Sequence, residues 1–100
     1  MRCELRAAGE GRFELVGPLN LHSVGDLLRA GERLFPVAGP VAVNLSGVGQ
    51  VDSAGVALLL VWARLARHRH AQLTYIEVPE RALALARIGN AEQLLPLGQG

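Results

Sequence analysis

Val41-Ala42-Val43-Asn44-Leu45-Ser46-Gly47-Val48-Gly49-Gln50-Val51-Asp52-Ser53-Ala54-Gly55-Val56-Ala57-Leu58-Leu59-Leu60-Val61-Trp62 carries, in order, a compact buried strand, a short loop, a polar Asp52-Ser53 pair and the opening turns of a long apolar helix. The first turn of a helix leaves backbone N–H groups without partners. A hydroxyl at Ser53 therefore has three readings: a cap that accepts from the Val56 N–H, a phosphate acceptor favoured by the helix dipole, or a contact point. Capping alone is worth about 0.5–2 kcal/mol. The chain has no comparable cluster of polar groups elsewhere, so function is expected around Ser53.

Outward from this stretch, residues 3–8 and 12–16 read as short strands around the turn Gly9-Glu10-Gly11, and Gly17-Pro18 ends the second. Ser23 is placed to cap a helix with Asp26 in its first turn and Val24, Leu27, Leu28, Gly31 and Leu34 on one side; Pro36 stops it. Gln72 to Val78 alternates as a strand, with Leu73, Tyr75 and Glu77 against Thr74, Ile76 and Val78. Pro79 suits a helix start, residues 82–88 propagate it, and Gly89-Asn90 stops it. The order β-β-α-β-α-β-α implies an α/β fold: a mixed β-sheet with helices packed against it. One domain is expected over 1–97, with a Gly-rich frayed end at 98–100.

Setting Ser53 at 0° and advancing 100° per residue puts Leu58, Leu59, Trp62, Ala63, Leu65 and Ala66 on one broad arc, the expected core side. The opposite arc holds Arg64, Arg67 and His68 but also Ala57, Leu60 and Val61, interleaved with Ser53. Apolar groups mixed with a hydroxyl and arginines on the outer side read as a docking surface, made of Ser53, Ala57, Leu60, Val61 and Arg64. The plainer alternative is that Leu60 and Val61 merely border the core, since single exposed apolar residues are common.

Other chemistry finds little support. The net charge of +1 and four aromatic residues give neither the field nor the stacking groups for nucleic acid. Cys3 is the only cysteine, which excludes an internal disulfide and fits a reducing compartment. The N-terminal Met1-Arg2-Cys3-Glu4-Leu5-Arg6 lacks the apolar core of a signal peptide, and the run Val56–Ala63 is far short of the roughly 20 residues of a membrane span, so no direct membrane insertion is expected. Asp52 and Ser53 with His22, His68 and His70 do not make a hydrolase: there is no Gly-x-Ser-x-Gly elbow, and His68 lies about 22 Å along the helix from Ser53. Two histidines without a third ligand do not make a metal site, and glycines at 47, 49 and 55 without any lysine do not make a phosphate-binding loop. These glycines are read as allowing the sharp passage from strand to helix. The chain is expected to be non-catalytic, cytoplasmic and free of cofactors.

Asn44-Leu45-Ser46 followed by Val51-Asp52-Ser53-Ala54-Gly55 resembles the signature of STAS domains, a strand ending Asp-Leu-Ser and a helix opening Val-Asp-Ser/Thr-x-Gly. The resemblance spans nearly the whole chain and implies a small α/β interaction module of the anti-sigma-factor-antagonist type. Gly55–Leu60 and the tail Asn90–Pro96 look most like members that serve as STAS subunits of Mla-type phospholipid-transport ABC complexes, which maintain outer-membrane lipid asymmetry. In those members the residue matching Ser53 lies at the surface that grips the ATPase. The resemblance thus implies an ABC-type ATPase as partner and a peripheral place at the inner membrane through it. Its other branch, the anti-sigma-factor antagonists, implies phosphorylation of Ser53 by a partner kinase. Asn44 departs from the usual Asp, which is expected to lower the negative charge beside Ser53 and alter kinase recognition.

Overall fold

The computed structural model describes residues 2–98. Four strands form one sheet in the order β1 (Glu4–Ala7), β2 (Arg12–Val16), β3 (Gly39–Gly47) and β4 (Ala71–Ile76). The hairpin β1–β2 is antiparallel, and the pairs β2–β3 and β3–β4 are parallel. Each parallel step contains a helix as its crossover: α1 (Val24–Leu34) between β2 and β3, and α2 (Ser53–His68) between β3 and β4. A third helix, α3 (Glu80–Ile88), follows β4. The mixed sheet and the element order agree with the reading of the sequence.

Alternation along the strands sorts the two sheet faces. Leu5, Phe13, Leu15, Val41, Val43, Leu45, Leu73 and Tyr75 are buried, and register places Phe13, Val43 and Tyr75 in one row. Their face carries the helices. Arg6, Arg12, Glu14, Gln72 and Thr74 point the other way and are exposed. Asn44 belongs to that second face, where its Oδ1 accepts the Ser46 N–H at 2.8 Å. Strand alternation turns the Asn44 side chain toward the face opposite the helices.

The core is centred on Trp62 of α2, which is fully buried. Its ring meets Phe35 edge-on at 5.1 Å, and Phe35 meets Phe13 edge-on at 5.3 Å, so one aromatic chain joins α2, the end of α1 and β2. Opposite the indole stands Gly31 of α1, where any side chain would collide with the Trp62 ring. Gly31 is thus in α1 because two helices touch there, despite its poor helix propensity. Tyr75 adds a polar tie, its buried hydroxyl donating to the Leu59 carbonyl of α2 at 2.6 Å. Burial without a charged partner pushes that phenol well above its usual pKa, so it remains a donor.

Several local expectations are corrected. Ser23 does not cap α1; its hydroxyl accepts the Asn20 N–H at 3.0 Å and donates to carbonyls of the preceding loop. The strand expected to reach Val78 ends at Ile76, because Glu77 takes a positive φ of 57° and turns the chain toward Pro79. Gly98 was expected to fray, yet its N–H donates to the Tyr75 carbonyl at 2.9 Å, beside a parallel bridge between Leu97 and Tyr75. The rest of the expected tail, residues 99 and 100, lies outside the described residues.

Two glycines of α1 give opposite expectations. Gly31→Ala should lower the urea midpoint, by about 1–3 kcal/mol in stability, because the new methyl overlaps a buried ring that cannot retreat. Gly25→Ala meets only the flexible end of Arg29 at 3.9 Å and should raise stability by about 0.5–1 kcal/mol. Equal effects at both positions would refute the close contact of α1 and α2.

Candidate docking site at the start of helix α2

The loop from β3 to α2 is anchored by Val48 and Val51, both buried. Val51 bridges Leu19 in a short parallel pairing, the Leu19 N–H donating to the Gln50 carbonyl at 2.8 Å and the Asp52 N–H to the Leu19 carbonyl at 3.2 Å. These bonds bring the loop 19–22 against the first turn of α2. Gly55 lies at the tightest point, where a Cβ would come 2.5 Å from the Leu19 carbonyl oxygen. Its role is close approach within the helix, not a loop bend. Gly47 and Gly49 likewise lack the positive φ that would mark them as necessary for a sharp turn, which corrects the reading of all three.

The cap of α2 is Asp52. In extended conformation, it accepts the Gly55 N–H on Oδ1 at 3.0 Å and the Leu21 N–H on Oδ2 at 3.1 Å. The carboxylate therefore satisfies an orphan donor of the helix and pins the neighbouring loop with its other oxygen. Hydrogen bonding from Gly55, foremost, and from Leu21 holds its pKa below the usual carboxylate value. The expected capping role of Ser53 is overturned, because a side chain one residue earlier already occupies that position. Asp ranks with Ser as a cap, so the residue type alone did not separate them.

Ser53 is instead the first residue of the helix and is exposed. Ala57, Val61 and Arg64, on the same stripe, are exposed as well, Val61 to 46%. Leu60 is half-buried and packs against the edge of the core, so it borders the stripe. On the opposite arc Leu58, Leu59, Trp62 and Ala66 are buried, and Ala63 and Leu65 half-buried. The division of α2 into a core arc and an outer arc is thus present in the structure. One neighbour was missed from sequence: Leu21 is 68% exposed, and its backbone is held at the helix start by Asp52. The signal for it was a large apolar residue set between the polar Asn20 and His22.

Reactive groups are sparse here. Cys3, just before β1, lines a depression with Asn20, His22 and Gln50, and burial, with a smaller effect of Glu4, pushes its thiol up to about 11, so it stays protonated. Among the described residues no group of three or more His, Cys, Asp or Glu side chains is arranged to hold a metal. Among the described residues no helix is long and apolar enough to cross a membrane.

A mixed four-stranded sheet with helices on one face, and an exposed serine opening its central helix, defines the fold class of STAS domains. The chain matches, over residues 3–96, the family model described as Mlab, STAS domain, and it belongs to that family. Among solved structures it is similar to the anti-sigma factor antagonist SpoIIAA in its unphosphorylated form, with a TM-score of 0.64 and 15% identity over 98% of this chain and 86% of that one. It is also similar to part of a structure titled Mglu, with a TM-score of 0.60 and 24% identity over 78% of this chain. This chain spans 20% of that protein's length. These two likenesses establish the fold. No curated protein matches.

Stability should respond to Asp52 and not to Ser53. Asp52→Ala is expected to cost about 1 kcal/mol or more, whereas Ser53→Ala should stay within about 0.5 kcal/mol of wild type in chemical denaturation. Because the folded carboxylate titrates below its unfolded value, its contribution is present above about pH 4 and is lost as pH falls through the lower folded pKa. The stability difference between wild type and Asp52→Asn should therefore shrink on acidification below pH ~4. A difference that grows on acidification would contradict the assignment.

Proposed function

We propose that this STAS domain is the non-catalytic subunit that binds and supports the ATPase of an Mla-type phospholipid-transport ABC complex, docking through the outer face of α2. The observation that carries the reading is the stripe Ser53, Ala57, Val61 and Arg64, with Leu60 at its margin and Leu21 beside its start. Apolar and hydroxyl groups, rigidly held and uncovered within this chain, suit a lasting protein contact. Membership of the Mlab, STAS domain family supports the choice of partner. On this reading the domain works on the cytoplasmic side, attached to the membrane only through its partner.

The free hydroxyl of Ser53 supports a second reading, an anti-sigma-factor antagonist controlled by phosphorylation of Ser53. Asp52 does not separate the two readings, because the Val-Asp-Ser/Thr signature of both branches already places an Asp before the hydroxyl residue, and the helix dipole favours a phosphoryl group there.

Copurification with the tagged chain, followed by intact mass, tests both. Val61→Glu should melt as wild type does, because Val61 lies outside the core, and should lose the ATPase by at least ten-fold in affinity, since an unpaired carboxylate is desolvated on docking. Ser53→Asp adds a charge at the first helical position, which the dipole tolerates, and should also fold normally while losing the partner. Leu59→Glu, in the core, should not fold. An ATPase that binds Val61→Glu and Ser53→Asp as it binds wild type would refute this docking surface. A kinase partner with an added phosphate on Ser53 would establish the second reading in its place.

A further inference from the structure

We propose that the partner's surface is acidic opposite Arg64 and Arg67, so that it meets α2 with an apolar patch at the Ser53 end and carboxylates toward the other. The proposal rests on the ATPase reading above and specifies the chemistry of that contact. Helix α2 contains no Asp or Glu from Ser53 to His68. Arg64 and Arg67 stand one turn apart on its outer arc, exposed, and with His68 and His70 they line a shallow depression.

Of the other arginines, Arg6, Arg29 and Arg87 are paired with carboxylates and Arg69 and Arg81 donate to backbone carbonyls, while Arg2, Arg12 and Arg33 lie off α2 and have neither kind of partner among the described residues. Among the described residues, neither Arg64 nor Arg67 has such a partner. Favourable interaction with the helix C-terminus accounts for a cation in the last turn, where Arg67 and His68 lie. It does not account for Arg64, which lies a turn further in and points within about 20° of Ser53 around the helix axis. Arg64 is one turn from Ser53's companion Val61, so the cationic end continues the apolar stripe without a break.

Guanidinium groups favour planar two-oxygen acceptors, and carboxylates on a protein present them at fixed positions. An anionic membrane is the poorer match. The two arginines of this helix face fall short of the roughly four to eight clustered basic residues that mark lipid-binding sites.

The test uses the full chain and the ATPase identified by copurification, and follows association and dissociation rates at low and high salt. For wild type the association rate should fall as salt rises. The pair Arg64→Glu and Arg67→Glu should slow association at low salt by about ten-fold or more and invert the salt response, with the melting temperature unchanged. Arg64→Gln with Arg67→Gln should give an intermediate rate and a flat salt response. Wild-type rates and salt response in the reversed variant would overturn the proposal while leaving the ATPase reading intact. If wild type binds no ATPase, the ATPase reading itself fails and takes this proposal with it. Sedimentation with vesicles containing phosphatidylglycerol supplies the remaining arm: charge-dependent vesicle binding, with ATPase kinetics unaffected by reversal, would assign the arginines to the membrane and overturn the proposal.

Discussion

The buried contact between Trp62 and Gly31 constrains more of this molecule than any other. An indole fills the space between α2 and the sheet only if α1 approaches without a side chain, and Gly31 provides that. Phe35 and Phe13 then complete an aromatic chain that links both helices to β2. The indole Nε1 is buried without a hydrogen-bond partner among the described residues, an electrostatic cost set against the large apolar area removed from water. Once Trp62 is fixed, the rotation of α2 about its axis is fixed, and with it the residues that face outward.

That rotation separates two properties a lone helix would mix. The inner arc is committed to the sheet, Leu59 being buried beside the Tyr75 hydroxyl that bonds its carbonyl. The outer arc is left with small, apolar and cationic groups that have no use in the core. Such a helix has much surface for binding and few groups for chemistry. The carboxylate next to Ser53, that of Asp52, is engaged by backbone donors and held below its usual pKa.

Asp52 and Ser53 are adjacent polar residues of which only Asp52 is engaged by the fold. Asp52 ties α2 to the loop 19–22 through both oxygens, and Gly55 allows the helix to sit directly on the Leu19 carbonyl. The start of α2 is therefore rigid without any contribution from Ser53. The exposed Ser53 hydroxyl makes no hydrogen bond within the described residues, which is the basis of the docking proposal above.

Sequence by itself determined the order of elements, the mixed sheet, the two arcs of α2 and the focus on Asp52-Ser53, because strand alternation and helical periodicity are local properties of the chain. The signature around Asn44–Gly55 also carried the family. It did not determine which of two good capping residues closes the helix, why Gly31 and Gly55 are glycines, or that Leu21 stands beside Ser53. Those depend on contacts across the fold: Asp52 with Leu21, Gly31 with Trp62, and Gly55 with Leu19. Residues that meet only after the parallel crossovers close leave no periodic trace in the chain, and tertiary structure alone decides their roles.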